Sequence, residues 1–193
     1  MGDRLPIANN PWPPWNLILC PSVEDQVRAD ERLPILAELA MQGWRTAVGL
    51  EPLLGPVDLS RWLSPWRCVA CSEWYTDAEG FLMRGECDCH GPLQHFPQLI
   101  EWAAIGGETG PGARPCDVAW IRDLIRQADD AGECQVWVKA LGENAVSLAG
   151  PARCQACAAS SLCWCPEHRL LLTDRRGANI DEWPADLRRR ERP

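Results

Sequence analysis

The chain has 193 residues, 46% of them hydrophobic and 24% charged, with a formal net charge of −8. That length supports one core, or one core with a small appendage, and the acidic balance argues against a general duplex-DNA binder. No apolar run reaches the roughly 18 residues of a membrane span, and MGDRLPIANNPWPPWN lacks the apolar stretch and cleavage site of a secretory leader.

Residues 1–14 are Pro-rich and aperiodic, an extended entry segment. Asn16–Cys20 (NLILC) is a short apolar run and predicts a buried strand. Ser22 is the expected N-cap of the helix that follows, with Asp25 at N3 as a weak capping box. Pro34 is expected to kink or restart that helix after Leu33, and Ile35, Leu36 and Leu39 carry its apolar stripe on to Gly43. Arg45–Leu50 predicts a second strand, ending at Glu51-Pro52. Asp58 is a candidate cap for a short helix through Leu63. Ile100–Ile105 predicts a third strand, and the loop GGETGPGARP follows it. Asp117 then caps a helix whose apolar face is Val118, Ile121, Leu124, Ile125 and Ala128, and Gly132 stops it. Cys134–Lys139 predicts a fourth strand.

Alternating strands and helices imply βαβ units and a mainly parallel sheet, an α/β fold. Four strands are too few to close an eight-stranded barrel. The expected architecture is a partial (β/α) barrel or small open parallel sheet with two zinc-ribbon-like or knuckle-like insertions. Residues 1–64 would hold the first βα units and 65–97 an inserted Cys-rich metal knuckle. Residues 98–142 would hold the remaining βα units, and 143–193 a second knuckle and the tail.

The insertions rest on the cysteines. Eight of the eleven fall into two clusters with nearly the same spacing. The first is Cys68-x-x-Cys71 with Cys87-x-Cys89, and His90 follows at once. The second is Cys154-x-x-Cys157 with Cys163-x-Cys165, and His168 lies three residues on. With no leader, the expected compartment is the cytoplasm, where thiols stay reduced and such pairs favour metal over disulfides. A CxxC turn brings two sulfurs to one ion, and a second pair returned by a hairpin completes a tetrahedral shell. The ligand sets are Cys68, Cys71, Cys87 and Cys89, and Cys154, Cys157, Cys163 and Cys165, with His90 and His168 as alternates. Closed four-thiolate shells on hairpins favour zinc, hence two ions, over an iron–sulfur cluster. Their expected role is to staple insertions that cannot build cores of their own. Of the three cysteines left over, Cys134 is expected in the core. Cys116 stands just before a helix N-terminus, where thiolate is favoured.

In parallel α/β folds, ligands bind beyond the carboxyl ends of the strands. Strand one leads to Glu24, strand two ends at Glu51, strand three leads to Gly106, Gly107 and Glu108, and strand four ends at Lys139. Arg114 shares the loop of Glu108. These residues are expected to meet on one rim and bind a polar ligand, or to serve as helix caps and loop salt bridges. The glycine-rich loop is not a P-loop, because no Gly-Lys-Ser/Thr follows it.

SVEDQVRADERLPIL, EPLLGPVDL, AAIGGETGPGARP and the late DEWP segment resemble the phage gene-product thirty-seven/sixty-eight family. The likeness runs from about Trp15 to Lys139, apart from the insertion, and resumes at the tail. Full-length members look like radical-SAM enzymes, with N-terminal cysteines that resemble the iron–sulfur ligands of that superfamily. The resemblance therefore implies the later half of a partial barrel. It places Glu51 at the EPLLGP strand end, Glu108 and Arg114 in the GGE loop, and Lys139 at a strand end. No CxxxCxxC precedes Cys20 here. An iron–sulfur cluster and S-adenosylmethionine are expected only with a companion polypeptide carrying the N-terminal half-barrel, and catalysis is not assigned to this chain alone. The alternative is a non-catalytic, zinc-stapled module that binds a protein or single-stranded nucleic acid. The acidic run Glu73, Asp77, Glu79, Glu86 and Asp88 favours a protein.

Overall fold

The computed structural model describes residues 13–75, 87–96, 99–132, 134–147 and 168–192. A four-stranded parallel sheet organises them. Its strands are β1 (Ile18–Leu19), β2 (Arg45–Leu50), β6 (Trp102–Gly106) and β8 (Gln135–Ala140), adjacent in the order in which they occur along the chain. Helix α1 (Gln26–Met41) joins the first pair, and α3 (Val118–Ala131) joins the last. Between β2 and β6 come the short helix α2 (Ser60–Leu63) and a small antiparallel sheet. That sheet has β3 (Trp66–Cys68) at its centre, with β4 (Trp74–Tyr75) and β5 (Leu93–His95) on either side. A two-stranded parallel ladder pairs β7 (Cys116–Asp117) with β9 (Ala145–Val146).

The core forms on the helix side of the large sheet. Alternate strand residues Val48 and Leu50, Ala103 and Ile105, and Val136 and Val138 are buried against Leu33, Leu36, Ile121 and Leu124 of the helices. Gln127 fixes the loop before α2 to α3. Its Oε1 accepts from the Leu59 N–H at 2.6 Å, and its Nε2 donates to the Val57 carbonyl at 3.0 Å.

Three local expectations are corrected. The N-cap of α1 is Asp25, whose carboxylate accepts from the Arg28 N–H at 2.9 Å; Ser22 is extended and bridges Gly49. The helix runs unbroken through Pro34 to Met41. A proline removes one intrahelical bond, and the buried residues Ala29, Leu33, Leu36 and Ala37 hold both halves on one packed face. Cys116 is buried rather than poised for reaction, and desolvation pushes its thiol up to about 12. Cys134 lies in the core as expected.

The tail does work that the sequence did not announce. Residues 189–191 run antiparallel to β8. Val138 N–H donates to Arg189 O, Glu191 N–H donates to Val136 O, and Trp137 bridges Arg190. Trp183 and Leu187 are buried in the main core, with the Trp183 Nε1–H donating to Gly177 O at 2.9 Å. The outer edge of β8 is thus covered. At the other end of the sheet, β1 has no strand beyond it among the described residues. No described helix is long and apolar enough to cross a membrane.

Candidate metal centre and strand-end rim

The three short strands β3, β4 and β5 return two turns to one point. The Sγ atoms of Cys68, Cys71, Cys87 and Cys89 all lie within 4.8 Å of one another. Three of the separations are 3.5 Å (Cys68–Cys89), 3.4 Å (Cys71–Cys87) and 3.1 Å (Cys87–Cys89). A tetrahedron with Zn–S arms of about 2.3 Å has edges of roughly 3.8 Å, so this spacing suits a four-thiolate shell.

The backbone is shaped for such a shell. Ser72 and His90, each just past a cysteine pair, take positive φ of 68° and 62°. The Ala70 and Cys71 N–H groups point at Cys68 Sγ at 3.4 and 3.5 Å, and the Cys89 N–H points at Cys87 Sγ at 3.2 Å. Hydrogen bonds of this kind stabilise the thiolate that a metal requires. Gly91 closes the second turn. A Cβ there would lie 2.7 Å from Cys68 Sγ and 3.2 Å from Cys89 Sγ.

The sulfurs are unequal acids. The Tyr75 hydroxyl donates to Cys87 Sγ at 3.2 Å, and with the Cys89 N–H it lowers the Cys87 thiol to about 6. The neighbouring Cys87 in turn pushes Cys89 up to about 12. A bound ion would displace the remaining protons. His90 is exposed and stands outside the group of mutually close ligand atoms, so the four cysteines are the group that could hold an ion. Cys154, Cys157, Cys163 and Cys165 lie outside the described residues. His168 is described, and its Nε2 is buried without a hydrogen-bond partner among those residues.

The knuckle is fastened to the core through aromatic rings. Trp74 meets Trp62 edge-on at 5.9 Å and Phe96 at 5.7 Å, and the Arg67 guanidinium sits 5.0 Å from its ring. Arg67 also pairs with Glu38 of α1 at 2.7 Å.

The strand-end residues fall into pairs. Lys139 Nζ donates to Glu51 at 2.7 Å, across the ends of β2 and β8. Gly106 lies beneath them, since a Cβ there would stand 3.3 Å from the Glu51 carboxyl carbon. Arg114 grips Glu108 through Nε at 2.8 Å and a second nitrogen at 2.7 Å. These bonds hold the Glu108 carboxyl down at about 2. Glu24 pairs with Arg32 at 3.1 Å; Arg114 is raised chiefly by its hydrogen bond to Glu108, with the Glu24 charge adding last. Gly107 has a packing role. A Cβ there would fall 2.2 Å from the Leu141 carbonyl oxygen, because the chain after β6 crosses directly over the chain after β8.

Sequence reasoning missed Tyr75 and Gly91 at the metal centre. Gly91 had a signal, being a glycine just after Cys-x-Cys-His where a tight turn needs room. Tyr75 had none, because its contact with Cys87 depends on the pairing of β3 with β4.

Fold and site together define a mixed α/β protein with a four-stranded parallel sheet and a cysteine cluster able to hold a metal ion. Residues 2–180 match the model of a family described as "Protein of unknown function (DUF5131)", and the chain belongs to that family. No curated protein and no solved structure matches it.

Proposed function

We propose that this protein is a zinc-stapled segment of a (β/α) barrel that binds a polar ligand at its strand ends. On this reading it works with a companion polypeptide as part of a radical-SAM-like, phage-type enzyme. The observation that carries the metal reading is the convergence of four sulfurs within 4.8 Å on two turns with inward N–H groups. Cys68, Cys71, Cys87 and Cys89 would hold the ion, which leaves no open position and gives zinc a structural task. A second zinc belongs to the Cys154, Cys157, Cys163 and Cys165 cluster.

The barrel reading is supported by four parallel strands in sequential order, the arrangement of successive βα units. The rim reading is supported by Glu51, Lys139, Glu108 and Arg114 at the carboxyl ends of those strands. In the proposed site Lys139 and Arg114 would face an anionic group, while Glu51 and Glu108 hold them in place. The companion reading is supported by the asymmetry of the sheet, sealed beyond β8 and without a further strand beyond β1 among the described residues. The companion would supply the iron–sulfur cluster and S-adenosylmethionine, and no radical step is assigned to residues of this chain.

The test is oxygen-free purification with elemental analysis and a visible spectrum, followed by co-expression with the product of the neighbouring gene. About two zinc per colourless chain, and a brown complex only on co-expression, are expected. Iron with a brown chromophore in the isolated chain would overturn the zinc assignment. A colourless chain that stays alone would instead favour the second reading, a non-catalytic module for another protein. The exposed Glu73 and Asp88 of the acidic knuckle favour that reading over one based on nucleic acid.

A further inference from the structure

We infer that a cavity beyond the carboxyl end of β8 is a binding site for a small organic oxyanion, a carboxylate or a phosphate, gripped by Arg169 and Arg175. The cavity holds about 560 Å³, within the size range of small-molecule sites. Ala145, Leu170 and Leu172 supply an apolar floor, and Glu143, Asp174 and the two arginines supply its polar wall.

The two acids of that wall are already committed. Glu143 accepts the Gly110 N–H at 2.8 Å on one oxygen and the Arg175 guanidinium at 3.0 and 2.5 Å on the other. Its side chain is 18% exposed. Asp174 accepts three backbone N–H groups, from Arg176 at 3.1 Å, Ala178 at 2.6 Å and Asn179 at 2.9 Å. Neither carboxylate is positioned to receive a cationic ligand.

The arginines differ. Arg169 donates to the Glu143 carbonyl oxygen at 2.9 Å and has no carboxylate within ion-pair distance among the described residues. Arg175 spends its Nε and one terminal nitrogen on Glu143 and is 82% exposed. A guanidinium carries five N–H donors, so both retain donors for a ligand, and the planar fork suits carboxylate and phosphate. The four side-chain charges of the wall sum to zero, but the Asp174 carboxylate is taken up by backbone N–H groups, so the hydrogen-bonding groups left for a ligand are guanidinium donors.

The walls are fixed before any ligand arrives. Leu170 N–H donates to Ala145 O at 2.9 Å, and Val146 bridges Arg169 across the same pair of segments. Gly142 is held between Gly107 and Gly177, where an added Cβ would come within 2.9 Å of backbone atoms of Gly107 and Glu108. A rigid site of this kind spends little free energy on ordering.

The test is isothermal titration of the full-length chain with inorganic pyrophosphate and, separately, malonate at low ionic strength. At least one probe is expected to bind saturably. Arg169→Gln is expected to weaken it tenfold or more while leaving the Glu143–Arg175 pair and the thermal midpoint intact. Arg175→Gln should weaken it as well. Arg122→Gln, a half-buried arginine on α3 paired with Asp186, should not. Absence of binding by both probes would overturn the inference, as would equal affinity in the Arg169 variant or an equal loss in the Arg122 variant.

Discussion

The sheet and the knuckle reach order by different means. The sheet buries alternate aliphatic residues of β2, β6 and β8 against α1 and α3, and its cohesion is spread over many contacts. The knuckle spans two- and three-residue strands and concentrates its cohesion in four sulfurs and one tryptophan. A region that cannot bury much apolar surface instead brings together four sulfurs able to hold a metal ion, and it stays attached through a side chain that belongs to both parts. Trp74 is that side chain, 9% exposed and part of the main core.

The sharpest way to break this contrast is to deprive the four sulfurs of the proposed zinc. Structural zinc supplies on the order of 10 kcal/mol to small domains. Chelation, or Cys87→Ser, is expected to release the amides of residues 66–75 and 87–96 to hydrogen exchange while β2, β6 and β8 stay protected. Sheet amides that exchange alongside them would mean that the two regions form one cooperative unit.

The reverse experiment damages the sheet. Gly107→Ala is expected to cost about 3 kcal/mol or more, because the added carbon meets a backbone carbonyl that cannot move aside. Gly55→Ala, with nothing within 4 Å, should change the denaturant midpoint little. A G107A midpoint as mild as that of G55A would show that the crossing of the two loops yields easily.

Tyr75→Phe tests the knuckle more finely. It removes the hydroxyl bond to Cys87, and such loss around a metal site lowers affinity by about tenfold. Competition against a chromophoric chelator measures it, and unchanged affinity would confine Tyr75 to packing.

The smallest effect is expected at the rim. The Glu108 carboxyl sits at about 2, below its ordinary value of 4.5. Its ion pair therefore contributes fully above the usual glutamate range and is lost as pH falls toward about 2. The pair is half open to solvent on the arginine side, so the contribution stays below about 1 kcal/mol. Stability curves of wild type and Glu108→Gln should differ at neutral pH and converge in acid. A constant offset would assign the difference to packing.

Much of the sheet is legible in the sequence. Arg45–Leu50 is a strand with the predicted bounds, and the helix after Asp117 starts and stops at its predicted caps. Those signals are local, written in apolar period and capping residues. The Cys68–Cys89 cluster was legible for the same reason, since ligand spacing is itself local. What stayed hidden depends on distant pairing. The ladder of β7 with β9 has two residues a side and no periodicity to announce it. The tail strand at 189–191 reads as a run of arginines, yet its backbone completes β8 while Arg190 lies against Trp137 and Trp183. The rim residues are legible in the sequence as charges near strand ends, but their division into Glu51–Lys139 and Glu108–Arg114 follows from loop crossings that the sequence does not display.

The tail that covers β8 also limits how copies of this protein can associate through the sheet. A strand-to-strand filament needs two adhesive edges on every copy, so that each addition exposes another. Here one edge is occupied by the chain's own backbone, leaving β1 as the outermost strand on the other side among the described residues. Growth from β1 can proceed by one step, as a two-fold pair or a single foreign strand, and then stops.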